Sequence, residues 1–90
     1  MKRIEHIGIA VADLRAAEQI FEDVLGESAF KREQVESEGV EVSFFQTGES
    51  KVELLASTTP EGAIDQHIAK RGEGLHHLAF SVDDLRGEIE

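Results

Sequence analysis

The hydrophobic positions change period repeatedly along the chain, and each change marks an element. Ile4 to Val11 is rich in β-branched residues and reads as a strand. Leu14, Ala17, Ile20, Phe21, Val24 and Leu25 then recur at helical spacing on one face. Asp13 is placed to cap that helix and Gly26 to end it. Ala29 to Val35 is charged enough to be an edge strand, and in Val40 to Gln46 the residues Val40, Val42 and Phe44 alternate against Glu41, Ser43 and Phe45. Thr47-Gly48-Glu49-Ser50 predicts a turn, with Lys51 to Ala56 as the returning arm of a hairpin. A loop over Thr58 to Glu61 holds the only proline. A short helix over Ala63 to Lys70 and a glycine-bearing linker over Arg71 to Gly74 come next. Leu75 to Val82 is a further strand, and Asp84 is placed to cap a second long helix.

The pattern repeats. Residues 6–15 read HIGIAVADLR and residues 77–86 read HLAFSVDDLR, so His, Val, Asp, Leu and Arg coincide without a gap. Both segments make the same structural prediction, a strand running into an aspartate-capped helix.

Strand alternation places Ile7, Ile9 and Val11 on a helix-covered face and His6, Gly8 and Ala10 on the other. The second copy puts His76, Leu78, Phe80 and Val82 on the covered face, with His77, Ala79 and Ser81 opposite. Each repeated strand thus presents one histidine among small residues, which leave room for a ligand. Glu53, flanked by Val52 and Leu54, falls on the same side, and a carboxylate among apolar residues calls for a partner or a metal. His6, Glu53 and His77 therefore form a candidate set for a divalent first-row ion. Glu41 shares a face with Ser43 and is the candidate acid/base group. His76 on the covered face and His67 on the outer side of the short helix are not assigned to the metal.

Composition narrows the chemistry. With no cysteine among 90 residues, any metal must be held by nitrogen and oxygen. A formal net charge of −10 disfavours nucleic acid and anionic membranes as partners. No run reaches the roughly 20 apolar residues of a membrane span, and the N-terminus lacks a signal-peptide pattern, so the expected compartment is the cytoplasm.

Three segments together carry a resemblance: His6-Ile-Gly-Ile-Ala-Val-Ala-Asp-Leu, Lys51-Val-Glu53-Leu-Leu, and Gly72-Glu-Gly-Leu-His-His77-Leu-Ala-Phe-Ser-Val-Asp-Asp. They resemble the methylmalonyl-CoA epimerases of the vicinal oxygen chelate (glyoxalase-like) superfamily. The first segment is shared across the superfamily, while the Gly-x-Gly-Leu-His-His segment is closer to the epimerases. The resemblance implies an α+β fold built of βαβββ modules that enclose a metal. Residues 1–56 would be the first module, 57–74 a connecting helix and linker, and 75–90 the start of a second module truncated after its first strand. It implies His6, Glu53 and His77 as ligands, with a fourth, a glutamate, beyond residue 90. The expected ion is Co²⁺, with Mn²⁺, Ni²⁺ and Zn²⁺ as alternatives, and the expected assembly is a homodimer.

The implied reaction interconverts (R)- and (S)-methylmalonyl-CoA by metal-assisted α-proton abstraction through an enolate. The acyl-CoA would be the small-molecule substrate. The alternatives are another metal-dependent enzyme of the glyoxalase I or extradiol dioxygenase type, and a non-enzymatic small-molecule-binding member.

Overall fold

The computed structural model describes residues 2–82 and has the order β1 (Lys2–Ala10), α1 (Leu14–Leu25), β2 (Lys31–Val35), a 3₁₀ turn (Glu36–Glu38), β3 (Val40–Thr47), β4 (Ser50–Ser57), α2 (Ala63–Arg71) and β5 (Gly74–Val82). The strands form one sheet in the order β2-β3-β4-β1-β5. The β2-β3-β4 stretch is an antiparallel meander, because each connection is too short for anything but a reversal. β4 then runs parallel to β1, which needs the intervening crossover that α1 and the meander supply. β5 adds antiparallel to the free side of β1. The first four strands and α1 are thus a βαβββ module, and the helix expected from Asp84 onward lies outside the described residues.

Local signals set the limits of α1. The Asp13 carboxylate accepts from the Ala16 backbone N–H at 3.1 Å, satisfying a donor that the helix leaves free. At the other end Gly26 is left-handed, with φ at 76°, and its N–H donates to the Glu22 carbonyl at 2.8 Å. A side chain at that φ would clash with the backbone, so glycine ends the helix there.

The two helices cover opposite faces of the sheet. Leu14 and Ala17 of α1, with Phe21 and Leu25 beside them, pack on Phe45, Val52, Leu54 and Ala56. Ile64 of α2, with Ile68 beside it, packs on Ala10, Val40 and Val42 across the sheet. Leu54 and Phe45 have almost no exposed surface, and each contributes about 1.5–3 kcal/mol by leaving water. β3 is therefore buried on both faces, rather than alternating between a core and a wet side.

The α1 stripe also differs from the expected one. Ile20 and Val24 are 59% and 74% exposed, whereas Glu18 is buried. The stripe Leu14, Ala17, Glu18, Phe21 and Leu25 lies flat on β3 and β4, and Ile20 and Val24 fall to its side, past the strip of sheet that the helix covers. Glu18 is tolerated there because it is fully partnered. Arg32 grips both carboxylate oxygens, at 2.6 and 2.9 Å, and the buried Ser43 hydroxyl donates to one of them. The Arg32 hydrogen bonds, with a smaller effect of Ser43, hold the Glu18 carboxyl below its ordinary value of 4.5 against the opposing effect of burial.

A group held low in the folded state binds its proton less tightly there than in the unfolded chain. Its stabilisation is complete above the ordinary value and is lost as pH falls through the lowered one. Glu18→Gln should lower unfolding stability by about 1.5–3 kcal/mol at neutral pH, as read by urea denaturation. The gap between the two proteins should close as pH falls below 4.5. A gap that stays constant into that range would show that the carboxylate charge contributes nothing.

Candidate metal centre

The face of the sheet opposite α1 holds the site. β1 contributes His6 and Gly8, and its parallel pairing with β4 sets His6 opposite Lys51 and Gly8 opposite Glu53. Its antiparallel pairing with β5 sets Gly8 opposite His77. Glu53 and His77 thus flank Gly8 from either side, with His6 two residues along the same strand. One ligand atom from each of His6, Glu53 and His77 lies within 4.8 Å of the others, and all three residues are half-buried. His6 Nε2 and His77 Nε2 face each other at 3.2 Å, their rings edge to face.

Gly8 makes this approach possible. A Cβ at that position would fall far inside contact distance of the His77 ring. The imidazole of His77 occupies the space that any other residue's side chain would fill.

Two interruptions of the β1–β5 ladder shape the rest. The first falls at Glu5, which has no partner between Ile4 (opposite Phe80) and His6 (opposite Ala79). The bulge brings Glu5 round to the His6 side, where its carboxylate meets His6 Nδ1 at 2.6 Å and Lys51 Nζ at 3.0 Å. These bonds, the one to His6 first, hold the Glu5 carboxyl below its ordinary value. The second interruption leaves His76 unpaired between His77 and Leu75. Strand alternation assigned His76 to the helix-covered face. The bulge places it instead beside His77, Nδ1 to Nδ1 at 2.8 Å, with its ring edge-on to His67 of α2. His67 is correspondingly half-buried rather than on an outer surface. Loss of water around the His76 ring, and then the neighbouring His77 and His67 imidazoles, lower its pKa from 6.5.

Glu41 does not join the cluster. It pairs with Ala56, a member of the α1-side core, and alternates with Val42, which packs toward α2. It therefore lies behind the sheet from His6 and on the side where Arg32 senses its charge. The acid/base role expected of Glu41 fails on this geometry. Sequence reasoning missed Glu5, since simple alternation puts it on the face of Ile7. The available signal was a glutamate directly before a candidate histidine ligand.

The donor set fits a divalent cation. Two nitrogens bound at about 2.0–2.1 Å to one ion lie roughly 3.0–3.4 Å apart for angles between square and tetrahedral, which brackets the separation of the two Nε2 atoms. Glu53 supplies a negative oxygen whose side chain is only 16% exposed, and its approach to His6 Nδ1 is a loose 3.7 Å. Imidazole and carboxylate donors without thiolate suit borderline first-row ions.

The family model of the Glyoxalase/Bleomycin resistance protein/Dioxygenase superfamily matches residues 5–90, and the chain belongs to that superfamily. Within it, the chain is 39% identical over 90 residues to the uncharacterized protein YqjC of Bacillus subtilis, covering all of this chain and 64% of YqjC. It is 31% identical over 88 residues to the mitochondrial methylmalonyl-CoA epimerase of Mus musculus, covering 97% of this chain and 49% of the mouse protein. A variant of Streptomyces coelicolor methylmalonyl-CoA epimerase, solved in complex with 2-nitronate-propionyl-CoA, superposes with a TM-score of 0.77 at 35% identity. That match covers 96% of this chain and 64% of the Streptomyces one. The chain thus spans about half to two thirds of the length of these relatives.

Gly8→Ala should push the His77 ring out of its place and cost about 1–3 kcal/mol of stability through overpacking. Heteronuclear NMR should show the His77 ring resonances displaced, while the amides of α1 and β3 stay where they are. Unmoved His77 resonances would show that the ring does not depend on the gap at Gly8.

Proposed function

We propose that this chain supplies metal ligands and substrate-facing surface to an epimerase acting on methylmalonyl-CoA, interconverting its (R) and (S) forms. The observation that carries the reading is the convergence of His6, Glu53 and His77 on one half-buried face, in a chain related to methylmalonyl-CoA epimerases. The acyl-CoA analogue held by the Streptomyces relative supports a CoA ester as the ligand class.

The chemistry suits the residues. The α-carbon of methylmalonyl-CoA lies between a thioester and a carboxylate, so losing its proton throws negative charge onto oxygens. A divalent cation held by His6, Glu53 and His77, with Co²⁺ as the first choice, would supply the positive field that such charge requires. The two imidazoles contribute neutral donors, and Glu53 contributes one negative charge, leaving the bound cation net positive toward a dianionic acyl group. Gly8 keeps the β1 face low between Glu53 and His77. Proton transfer falls to groups other than Glu41, which the sheet separates from this face.

Two measurements test the reading on the protein that carries this chain. Cobalt-loaded protein in deuterated water should place deuterium at the α-carbon of methylmalonyl-CoA, followed by NMR or mass spectrometry. Persistence of the α-proton under saturating Co²⁺ would remove the epimerase assignment. His6→Ala and His77→Ala should each weaken Co²⁺ binding by more than about 100-fold, read from the visible absorption of the ion. Unchanged affinity in either variant would show that residue is not a ligand.

A further inference from the structure

Glu5 has an arrangement that neither chain alternation nor surface solvation explains. It occupies the unpaired position of the β1 bulge and spends both carboxylate oxygens on the site. Oε1 lies 2.6 Å from His6 Nδ1, and Oε2 lies 3.0 Å from Lys51 Nζ. Lys51 is the register partner of His6 on β4, so the sheet itself sets all three groups side by side.

An ionised carboxylate can only accept. The proton of a neutral His6 is therefore held on Nδ1, and the lone pair is left on Nε2. That Nε2 is the atom facing His77 Nε2 at 3.2 Å. A free histidine side chain in water favours the opposite tautomer, with the proton on Nε2. Glu5 reverses that preference in the direction metal binding needs.

We infer that Glu5 is the positioning residue of this centre, fixing the tautomer and ring orientation of His6 from behind, with Lys51 fixing Glu5 in turn. The inference rests on the metal reading of the site and deepens it. Carboxylates bonded to the outer nitrogen of a ligating histidine orient the ring and raise its basicity, and their loss usually weakens metal binding 10–100-fold. The bulge at Glu5 is then a functional feature, since a regular ladder would turn this carboxylate to the α1 face.

The test combines ¹⁵N NMR of the histidine rings in metal-free protein with Co²⁺ titration of Glu5→Met and Glu5→Gln. In the parent protein His6 should carry its proton on Nδ1. In Glu5→Met the Nε2–H tautomer should gain population, and Co²⁺ affinity should fall about 10–100-fold. Glu5→Gln keeps an acceptor oxygen without the charge, so it should retain the Nδ1–H tautomer and recover part of the affinity. Finding His6 as the Nε2–H tautomer in the parent would overturn the inference, whether or not Glu5→Met folds. So would a Glu5→Met protein with parental tautomer and parental affinity. If the parent protein fails to bind Co²⁺, the metal reading falls, while the ring tautomer of the metal-free protein still decides the role of Glu5.

Discussion

A missing side chain at Gly8 is the constraint on which the site depends. Gly8 lies in an interior strand and pairs on one side with Glu53 and on the other with His77. Neighbouring strands are about 4.7–4.9 Å apart, so side chains from both partners can lean into one gap only if the middle residue has none. Glycine weakens a strand, because it loses more backbone freedom on folding and packs nothing against its neighbours. Here that loss is offset by burial elsewhere on the same strands. Ala10 and Leu54 are fully enclosed within a few residues of the gap, so the β1–β4 part of the ladder is held next to its weakest point.

The pairing that completes the gap is long-range, because β5 must return across α2 to reach β1. α2 sits on the face that carries His6, Glu53 and His77, where Ile64 and Ile68 pack beside Ala10 and Leu55. Its covering ends near His67, whose ring meets His76 at the bulge in β5. The helix thus closes one end of the face and leaves the His6, Glu53 and His77 end accessible. Burial of the three side chains is partial for that reason: the His6 side chain is 22% exposed, enough shelter to strengthen electrostatics while leaving the face open.

How much of this the sequence makes legible depends on where regular periodicity holds. Period-two alternation correctly places His6 and Glu53 on one face, and the internal repeat selects His77, because those residues lie in uninterrupted stretches of their ladders. Glu5 and His76 occupy the two bulges, where alternation breaks and a one-residue count gives the wrong face. The helical pattern likewise names the residues of the α1 stripe but not the width of the surface beneath it. Ile20 and Val24 are apolar at permissible spacing, yet among the described residues the helix rests mainly on two strands, β3 and β4. Glu41 is misplaced for a related reason. A strand carrying Val42 on one face and Phe45 on the other gives no sign of which face is the cleft, and only the register with β4 decides it.

Two carboxylates of the sheet and its helix, Glu18 and Glu53, are partnered very differently. The Glu18 side chain is 8% exposed and that of Glu53 is 16% exposed. Burying either has a desolvation cost, which hydrogen bonds or opposite charge must offset. Glu18 receives two bonds from the Arg32 guanidinium and one from Ser43, which leaves little capacity on either oxygen for another ligand. Glu53 has, among the described residues, one ion-pair approach of 3.7 Å to a histidine whose nearer partner is Glu5. The chain thus satisfies one buried carboxylate from its own donors and leaves the other half-buried and loosely engaged, within reach of two imidazoles. Lys51 could have neutralised Glu53 from the same strand and face, but it is engaged by Glu5 instead. Directing the nearby lysine to the carboxylate behind His6, and not to the one beside it, keeps the electron-rich side of the cluster open to a cation.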